Sequence, residues 1–473
     1  MVLFINREEE LRDFNKYYNL SKNRLFPVVL YGQRRVGKTK LMKEFTKNKK
    51  SIYFFVNENK NSSILLEDFN QILRDENLLD EFTKLETWDK FIHYLVKKCS
   101  DYVIIFDEFQ NFKIVDNSVF SIFQYYIDEF ENQKNVMIVF LGSIVGLIRE
   151  IFENQKSPLF GRVKAFYHLK QFSFEHTIKL CNEIGIRDFK KIIELYSIFD
   201  GFPRYYILIN DYKFINKTID EIIEGLVLKE SSPLRNEVLN TLKLNFGQGK
   251  LNYYSILEAI AYGNTTSTKI ANYIGKDTNS TNFFLNELKN YYGFIKRNYP
   301  VTEIENKNTK ITNYSIENNF FDFYFNFIHK NINYIEFGDF KRVETYIRNN
   351  LVHLIAKKFE DICRELIYKQ KNYVVGSWWN RQGEEIDICG FDYDGDKLLF
   401  GECKWQNNVD ARNILNRLIS KTENVSWRDD KRVEEFVIFA KGFKESRREL
   451  REISDKYNCT FYDLKDIEKV FIT

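Results

Sequence analysis

Apolar positions along the chain follow two rhythms, a continuous or alternating one that predicts strands and a three-to-four-residue one that predicts helices. Arg7–Leu20 has the helical spacing, and Pro27–Tyr31 is a short unbroken apolar run. Glycine-containing sequence and an amphipathic stretch follow at once, so strand, loop and helix are expected in that order. Ser51–Val56, Tyr102–Phe106 and Val136–Leu141 repeat the strand pattern with helical sequence between them. Strands separated by helices predict a parallel sheet wrapped by helices, here over residues 1–172. From Phe174 to about Leu244 the spacing is helical, interrupted by the breaker Gly201-Phe202-Pro203, and residues 173–248 are expected to form a helical lid. Thr265–Ile274, a turn at Lys276–Asn279 and Ser280–Asn290 read as a helix-turn-helix. Phe294–Val301 and Ile311–Ile316 follow as two strands of a wing, which predicts a winged helix over 249–335. A long helix from about Gly338 through Ile367 then leads into strands at Tyr373–Trp378, Glu385–Gly390, Leu398–Cys403 and Phe436–Ala440, a second α/β domain over 336–473.

Length agrees with several domains, since 473 residues exceed the roughly 150 typical of one domain about threefold. Net charge is only +3, so no global field marks a nucleic-acid binder and any polyanion site has to be local. The six cysteines (Cys99, Cys181, Cys363, Cys389, Cys403, Cys459) form no CxxC pair, and the five histidines have no metal-ligand spacing. A reducing compartment without structural zinc fits this usage. The first residues lack a basic stretch followed by an apolar one, and no run approaches the eighteen or so apolar residues of a membrane span. A soluble, cytoplasmic protein without a membrane partner is expected.

Gly32-Gln33-Arg34-Arg35-Val36-Gly37-Lys38-Thr39 satisfies GxxxxGK[ST] after a buried strand and at the start of a helix. There the glycines let backbone N–H groups close around phosphate oxygens, and the helix N-terminus, including Lys40, adds positive potential. Lys38 is placed to reach the β and γ phosphates of ATP, and Thr39 to offer its hydroxyl to magnesium. Downstream, Val103-Ile104-Ile105-Phe106-Asp107-Glu108 is an apolar strand ending in two acids. Asp107 is expected near the magnesium shell, and Glu108 where it orients and deprotonates the attacking water.

With these motifs, Phe4-Ile5-Asn6-Arg7-Glu8, the Arg34-Arg35 pair and Phe106–Gln110 resemble the archaeal-type ATPases. That group belongs with the STAND and replication-initiator-like branch of the AAA+ P-loop proteins. Leu141-Gly142-Ser143 looks like its sensor strand end, Pro158-Leu159-Phe160-Gly161-Arg162 like its PLYGR segment and Gly201-Phe202-Pro203 like its GxP motif. The resemblance implies that Arg162 is a γ-phosphate sensor or arginine finger, with Arg149 and Arg204 as other candidates. It also implies that hydrolysis can depend on a neighbouring copy in a homo-oligomer. Ser143 either contacts the γ-phosphate or caps a helix, and capping is the simpler role.

The helix Ser280–Asn290 of the winged helix is poor in cations, so a protein-contact or regulatory role fits it better than phosphate binding. The last domain has more chemistry to offer. Glu385-Ile386-Asp387-Ile388 and, after a loop at 392–397, Leu398–Trp405 present acids on two strands joined by a turn. Residues two apart share a strand face, which groups Glu402 with Lys404 and turns Cys403 into the core. Asp387 and Glu402, with Glu360 on the preceding helix, are hard oxygen ligands for a metal such as magnesium, and Lys404 can orient or activate water. Trp378, Trp379 and Arg381 either line a nucleic-acid groove or pack. Trp378-Trp379, Glu384–Ile388 and Gly401–Trp405 resemble the PD-(D/E)xK nuclease fold, found in the C-terminal domain of unknown function of many such ATPases. Ile386 stands where a Pro commonly precedes the Asp of that motif. The resemblance implies a restriction-endonuclease-like α/β domain acting on DNA under ATP control; a degenerate fold that only binds is the alternative.

Overall fold

Five strands, β1 (Phe26–Tyr31), β2 (Ser51–Phe55), β3 (Val103–Asp107), β4 (Met137–Gly142) and β5 (Ala165–His168), form the N-terminal sheet in the order β2-β3-β4-β1-β5. Every pairing is parallel. Helices cover both faces of such a sheet, so its central strands are apolar without alternation, and β1, β3 and β4 are buried along their whole length. The edge strand β2 alternates instead, leaving Tyr53 and Phe55 exposed. The other edge strand, β5, is four half-buried residues, Ala-Phe-Tyr-His, which lack a hydrophobic run to announce them. The core is aromatic. Phe106 lies 5.2 Å from Phe54 and Phe123 between ring centroids, and Phe109 lies 4.3 Å from Phe140. Each ring so buried contributes roughly 1.5–3 kcal/mol.

The computed structural model describes residues 4–133, 135–246, 251–306, 309–393, 395–428 and 432–472. The expected lid boundary at 248–249 lies outside them. The chain divides into two compact units, one of Met1–Gln171 with Phe202–Arg204 and Asn290–Gly293, the other of Phe172–Gly201, Tyr205–Lys289 and Phe294–Thr473.

In the second unit the helix Phe189–Phe199 stops at Asp200, held at φ 55° and ψ −162°, a conformation rarely adopted outside glycine. Its carboxylate accepts from the Gly201 N–H at 2.7 Å and the Asn319 N–H at 3.2 Å. A Cβ on Gly201 would stand 1.8 Å from the Phe172 carbonyl oxygen, so only glycine fits there. Helices Ser267–Ile274 and Thr278–Asn286, capped by Thr266 and Asp277, are joined through Gly275 at φ 65°. Strands β6 (Ile295–Asn298) and β7 (Asn313–Ile316) pair antiparallel after them, in the places where the two strands of a wing are expected.

The 32-residue helix Phe340–Lys371 precedes a second sheet. Strands β8 (Val374–Trp379), β9 (Glu385–Phe391), β10 (Lys397–Lys404), β11 (Val433–Ala440) and β12 (Cys459–Tyr462) lie in the order β12-β11-β10-β9-β8. Strands β8, β9 and β10 form an antiparallel meander, whereas β10, β11 and β12 are parallel and joined by helices Ala411–Thr422 and Arg447–Tyr457. The long helix also carries a buried charge. Lys358, 4% exposed, lies 2.9 Å from Asp322, which is 2% exposed. Burial alone would lift the Asp322 carboxyl, but the ammoniums of Lys358 and Lys357 overcome it and hold it below the usual range. All six cysteines are free and buried. No described helix is long and apolar enough to cross a membrane.

Candidate functional site

The strand order sets β4 between β1 and β3, so the segments leaving these three strands meet at the carboxyl edge of the sheet, where ligands bind in open α/β folds. The loop after β1 runs from Gly32 to Gly37. A Cβ on Gly32 would lie 2.1 Å from the Leu169 carbonyl oxygen, and Gly37, at φ 103°, caps the helix Lys38–Thr46. Lys38 curls back over this loop and donates to the carbonyls of Gly32 at 2.7 Å and Gln33 at 3.1 Å. Burial pulls its ammonium down to about 8, against the pull of Glu108 and Asp107. Arg34 contributes a buried Nε that no described group accepts from. A buried cation on a loop of N–H donors has the chemistry of a phosphate site.

Asp107 closes β3. Its Oδ2 accepts from the Thr39 hydroxyl at 2.9 Å and the Tyr53 hydroxyl at 2.5 Å, and its Oδ1 from the Glu108 N–H at 2.9 Å. Glu108 adopts the left-handed conformation, φ 54°, and its Oε2 accepts from the Ser143 hydroxyl at 2.6 Å and from Gln110. The two adjacent acids therefore diverge, one toward the P-loop threonine and one toward the end of β4. Ser143 does not cap a helix as expected: the next helix, Val145–Glu153, starts from Ile144 without a side-chain cap, and the Ser143 hydroxyl is spent on Glu108.

Two further residues at this edge, His168 and Tyr31, escape sequence reasoning, and Arg149, one of the alternative candidates, joins them there. His168, the last residue of β5, stacks on Tyr31 of β1 at 4.6 Å and 8°. The Arg149 guanidinium approaches the Tyr31 hydroxyl at 3.5 Å. Burial, then Lys170, Arg149 and Lys38, push the His168 imidazole down to about 4. Arg149 and Lys38 thus act on one ring. The only sequence signal for Arg149 is its place on the helix after the sensor-like strand. Arg162, in contrast, is engaged locally: its Nε meets both oxygens of Asp128 at 2.9 and 3.0 Å, and its Nη1 the carbonyl of Pro158 at 2.9 Å.

A second cluster lies on the C-terminal sheet. The β9–β10 register sets Gly401 opposite Ile388, so Glu402 and Asp387 come together on adjacent strands. The Cys403 N–H donates to Asp387 at 2.8 Å, and Lys404 lies 2.7 Å from Glu402 and 3.6 Å from Asp387. Burial and the neighbouring Glu402 raise the Asp387 carboxyl. Burial would also raise Glu402, but Lys404 and Lys421 outweigh it and hold that carboxyl low. Glu360 is lifted to about 8 by burial and by Asp387. Arg364 stands 3.6 Å from Glu360 and donates to the Asp387 carbonyl. Lys421 carries no motif that marks it in the sequence. Lying 19 residues after Glu402 in the chain, on the helix Ala411–Thr422, it reaches Glu402 and, at 2.7 Å, the Glu385 carbonyl. Cys403 is buried, with its thiol raised well above the usual range by burial and by Cys363. Trp378 is a core residue, while Arg381 is exposed. Among the described residues, no group of three or more His, Cys, Asp or Glu side chains is disposed to hold a metal ion.

Residues 4–209 match the model of a family described as an ATPase domain predominantly from Archaea. Residues 324–414 match one described as archaeal and bacterial proteins of unknown function. An uncharacterized protein of Methanocaldococcus jannaschii is 30% identical over 98% of this chain and 100% of its own length. An uncharacterized ATP-binding protein of the same organism is 50% identical over 50 residues, 11% of this chain and 81% of that protein. Among solved structures, a Walker-type ATPase of Pyrococcus abyssi aligns with a TM-score of 0.54 at 20% identity, covering 68% of this chain and 96% of its own, a likeness of fold.

Proposed function

Because the chain belongs to the archaeal P-loop ATPase family, we propose that it hydrolyses ATP with magnesium at Gly32–Thr39, Asp107 and Glu108. We further propose that the nucleotide state governs cleavage of DNA phosphodiesters at Asp387, Glu402 and Lys404. The observation that carries the first part is the junction of Thr39 and Asp107 at 2.9 Å, with Glu108 turned aside next to it. The donor set fits magnesium, a hard cation that prefers a hydroxyl and a carboxylate beside phosphate oxygens. When bound, the metal neutralises charge on the phosphates. Lys38 would leave the Gly32 and Gln33 carbonyls for the β and γ phosphates, regaining there the charge stabilisation that burial costs it. Glu108 would take the proton of the attacking water on its carboxylate, with Ser143 and Gln110 fixing its direction. Arg149, beside Tyr31, is our candidate for reading the γ-phosphate; for Arg162 to do so it would have to leave Asp128.

The second part is supported by the order helix, three-strand meander, helix, strand, with Asp387 and Glu402 adjacent across β9 and β10 and Lys404 between their carboxylates. The pairing of Glu402 with two lysines, Lys404 and Lys421, favours a second reading, in which this domain binds nucleic acid or protein without cutting. Incubating the protein with plasmid and single-stranded DNA, with and without ATP and magnesium or manganese, separates the two. Cleavage abolished by Asp387→Ala and altered by Lys38→Ala supports ATP-governed cutting. ATP turnover without cleavage under any condition supports the second reading.

A further inference from the structure

We propose that the solvent face of the helix Ala411–Thr422 is a docking surface for the phosphate backbone of a nucleic acid, leading a strand toward the Asp387–Glu402 pair. The inference rests on the reading of that pair as a phosphodiester site and names the surface that would serve it. The helix contains Arg412, Arg417 and Lys421 and no acidic residue. Ala411, Leu415, Leu418 and Thr422 are buried, so Arg412, Asn413, Asn416, Arg417 and Ser420 are left outward and exposed. Asn413, Arg417 and Lys421 are spaced four apart and rise in one row along the helix. That row ends on the carboxylate cluster, because Lys421 donates to Glu402 and to the Glu385 carbonyl.

The acids at the start of the helix are engaged by its own backbone. Asp410 accepts from the Asn413 N–H at 2.9 Å, and Glu445 from the N–H groups of Ala411 at 3.1 Å and Arg412 at 3.3 Å. Glu423 follows the far end. Among the described residues, neither Arg412 nor Arg417 forms an ion pair within 4.0 Å, though Glu449 lies near enough to feel the charge of Arg412. Other arginines of the same domain are held by structure: Arg447 binds Asp463 and Asp466, both at 2.6 Å, and Arg432 binds Glu434 at 2.9 Å, whereas Arg412 and Arg417 lie on the exposed side of the one helix that leads to the carboxylates. Two uncommitted guanidiniums interleaved with amide and hydroxyl side chains are the donor set that phosphate oxygens select, and the absence of acids along the row removes the repulsion a polyanion would meet.

The test uses the full chain, in EDTA, against a fluorescein-labelled duplex of about 30 base pairs and a single strand of equal length, read by anisotropy over a salt series. Arg412→Ala/Arg417→Ala is expected to weaken binding about tenfold or more near 0.1 M salt. It should also lower the slope of log K against log salt by about 2, since each phosphate contact contributes about 0.9 to a duplex slope. Alanine keeps the helix, which circular dichroism checks. Lys16→Ala/Lys97→Ala, removing equal charge from the N-terminal unit, should leave affinity and slope unchanged. An unaltered Arg412→Ala/Arg417→Ala variant, an equal effect of the two pairs, or no binding of either probe by the wild type would overturn the proposal. Wild-type cleavage is followed in parallel with magnesium. Binding that depends on Arg412 and Arg417 without any cleavage would sink the phosphodiester reading and leave the surface standing.

Discussion

Ser143 and His168 stand at the carboxyl edge of the N-terminal sheet, outside the Gly32–Thr39 segment. Ser143 donates to Glu108 at 2.6 Å, so Ser143→Ala should leave that carboxylate with one donor fewer and poorly aimed. The expected result is a fall in kcat of about tenfold with KM for ATP little changed, smaller than the 10²–10⁴-fold expected for Glu108→Gln. Steady-state ATP turnover of both variants checks it. His168 carries a pH dependence. Folded, it takes a proton only near pH 4, whereas an unfolded histidine does so near 6.5. Between those values the unfolded chain binds more protons, so stability is lost as pH falls from about 6.5 toward 4 and is fully present above 6.5. His168→Phe preserves a ring over Tyr31 and should flatten the fall of the urea midpoint across that window.

At the level of elements, legibility follows burial. Strands β1, β3 and β4 are read within a residue or two because both faces of the central sheet are covered and their sequences are unbroken apolar runs. The four-residue strands β5 and β12 are not read: Ala165–His168 is half-buried, and Cys459–Tyr462 alternates too briefly to stand out. Likewise Gly32–Thr39 and the Asp107-Glu108 pair stand out in the sequence because each is a contiguous run. The Glu402–Lys421 pair depends on how a helix returns over β10, which spacing does not encode. The long helix Phe340–Lys371 was visible, but its buried Lys358–Asp322 pair was not. Lys358→Met leaves the buried Asp322 with only the exposed Lys357, 3.7 Å away, and should cost up to about 3–5 kcal/mol. Adding Asp322→Asn removes that charge and should restore at least half of the loss. Chemical denaturation of both variants measures the difference.

For the whole molecule, two compact units pose the question whether they open together or apart, and the buried thiols supply a clock for each. Cys99 belongs to the first unit, and Cys181, Cys363, Cys389, Cys403 and Cys459 to the second. None is accessible in the folded chain, so a thiol reagent reacts only as fast as the surrounding structure opens. A ligand stabilises the fold that binds it by an amount that grows with the logarithm of its concentration above Kd. Saturating ATP with magnesium should therefore slow modification of Cys99 tenfold or more, as peptide-resolved mass spectrometry of the alkylated chain would register. If the five thiols of the second unit slow in step with Cys99, nucleotide energy reaches the sheet that holds Asp387 and Glu402. If they keep their own pace, the two halves open independently, and whatever couples hydrolysis to the carboxylates acts without stabilising them. The six cysteines, chemically silent in the native fold, thereby become internal timers of how far a bound nucleotide is felt.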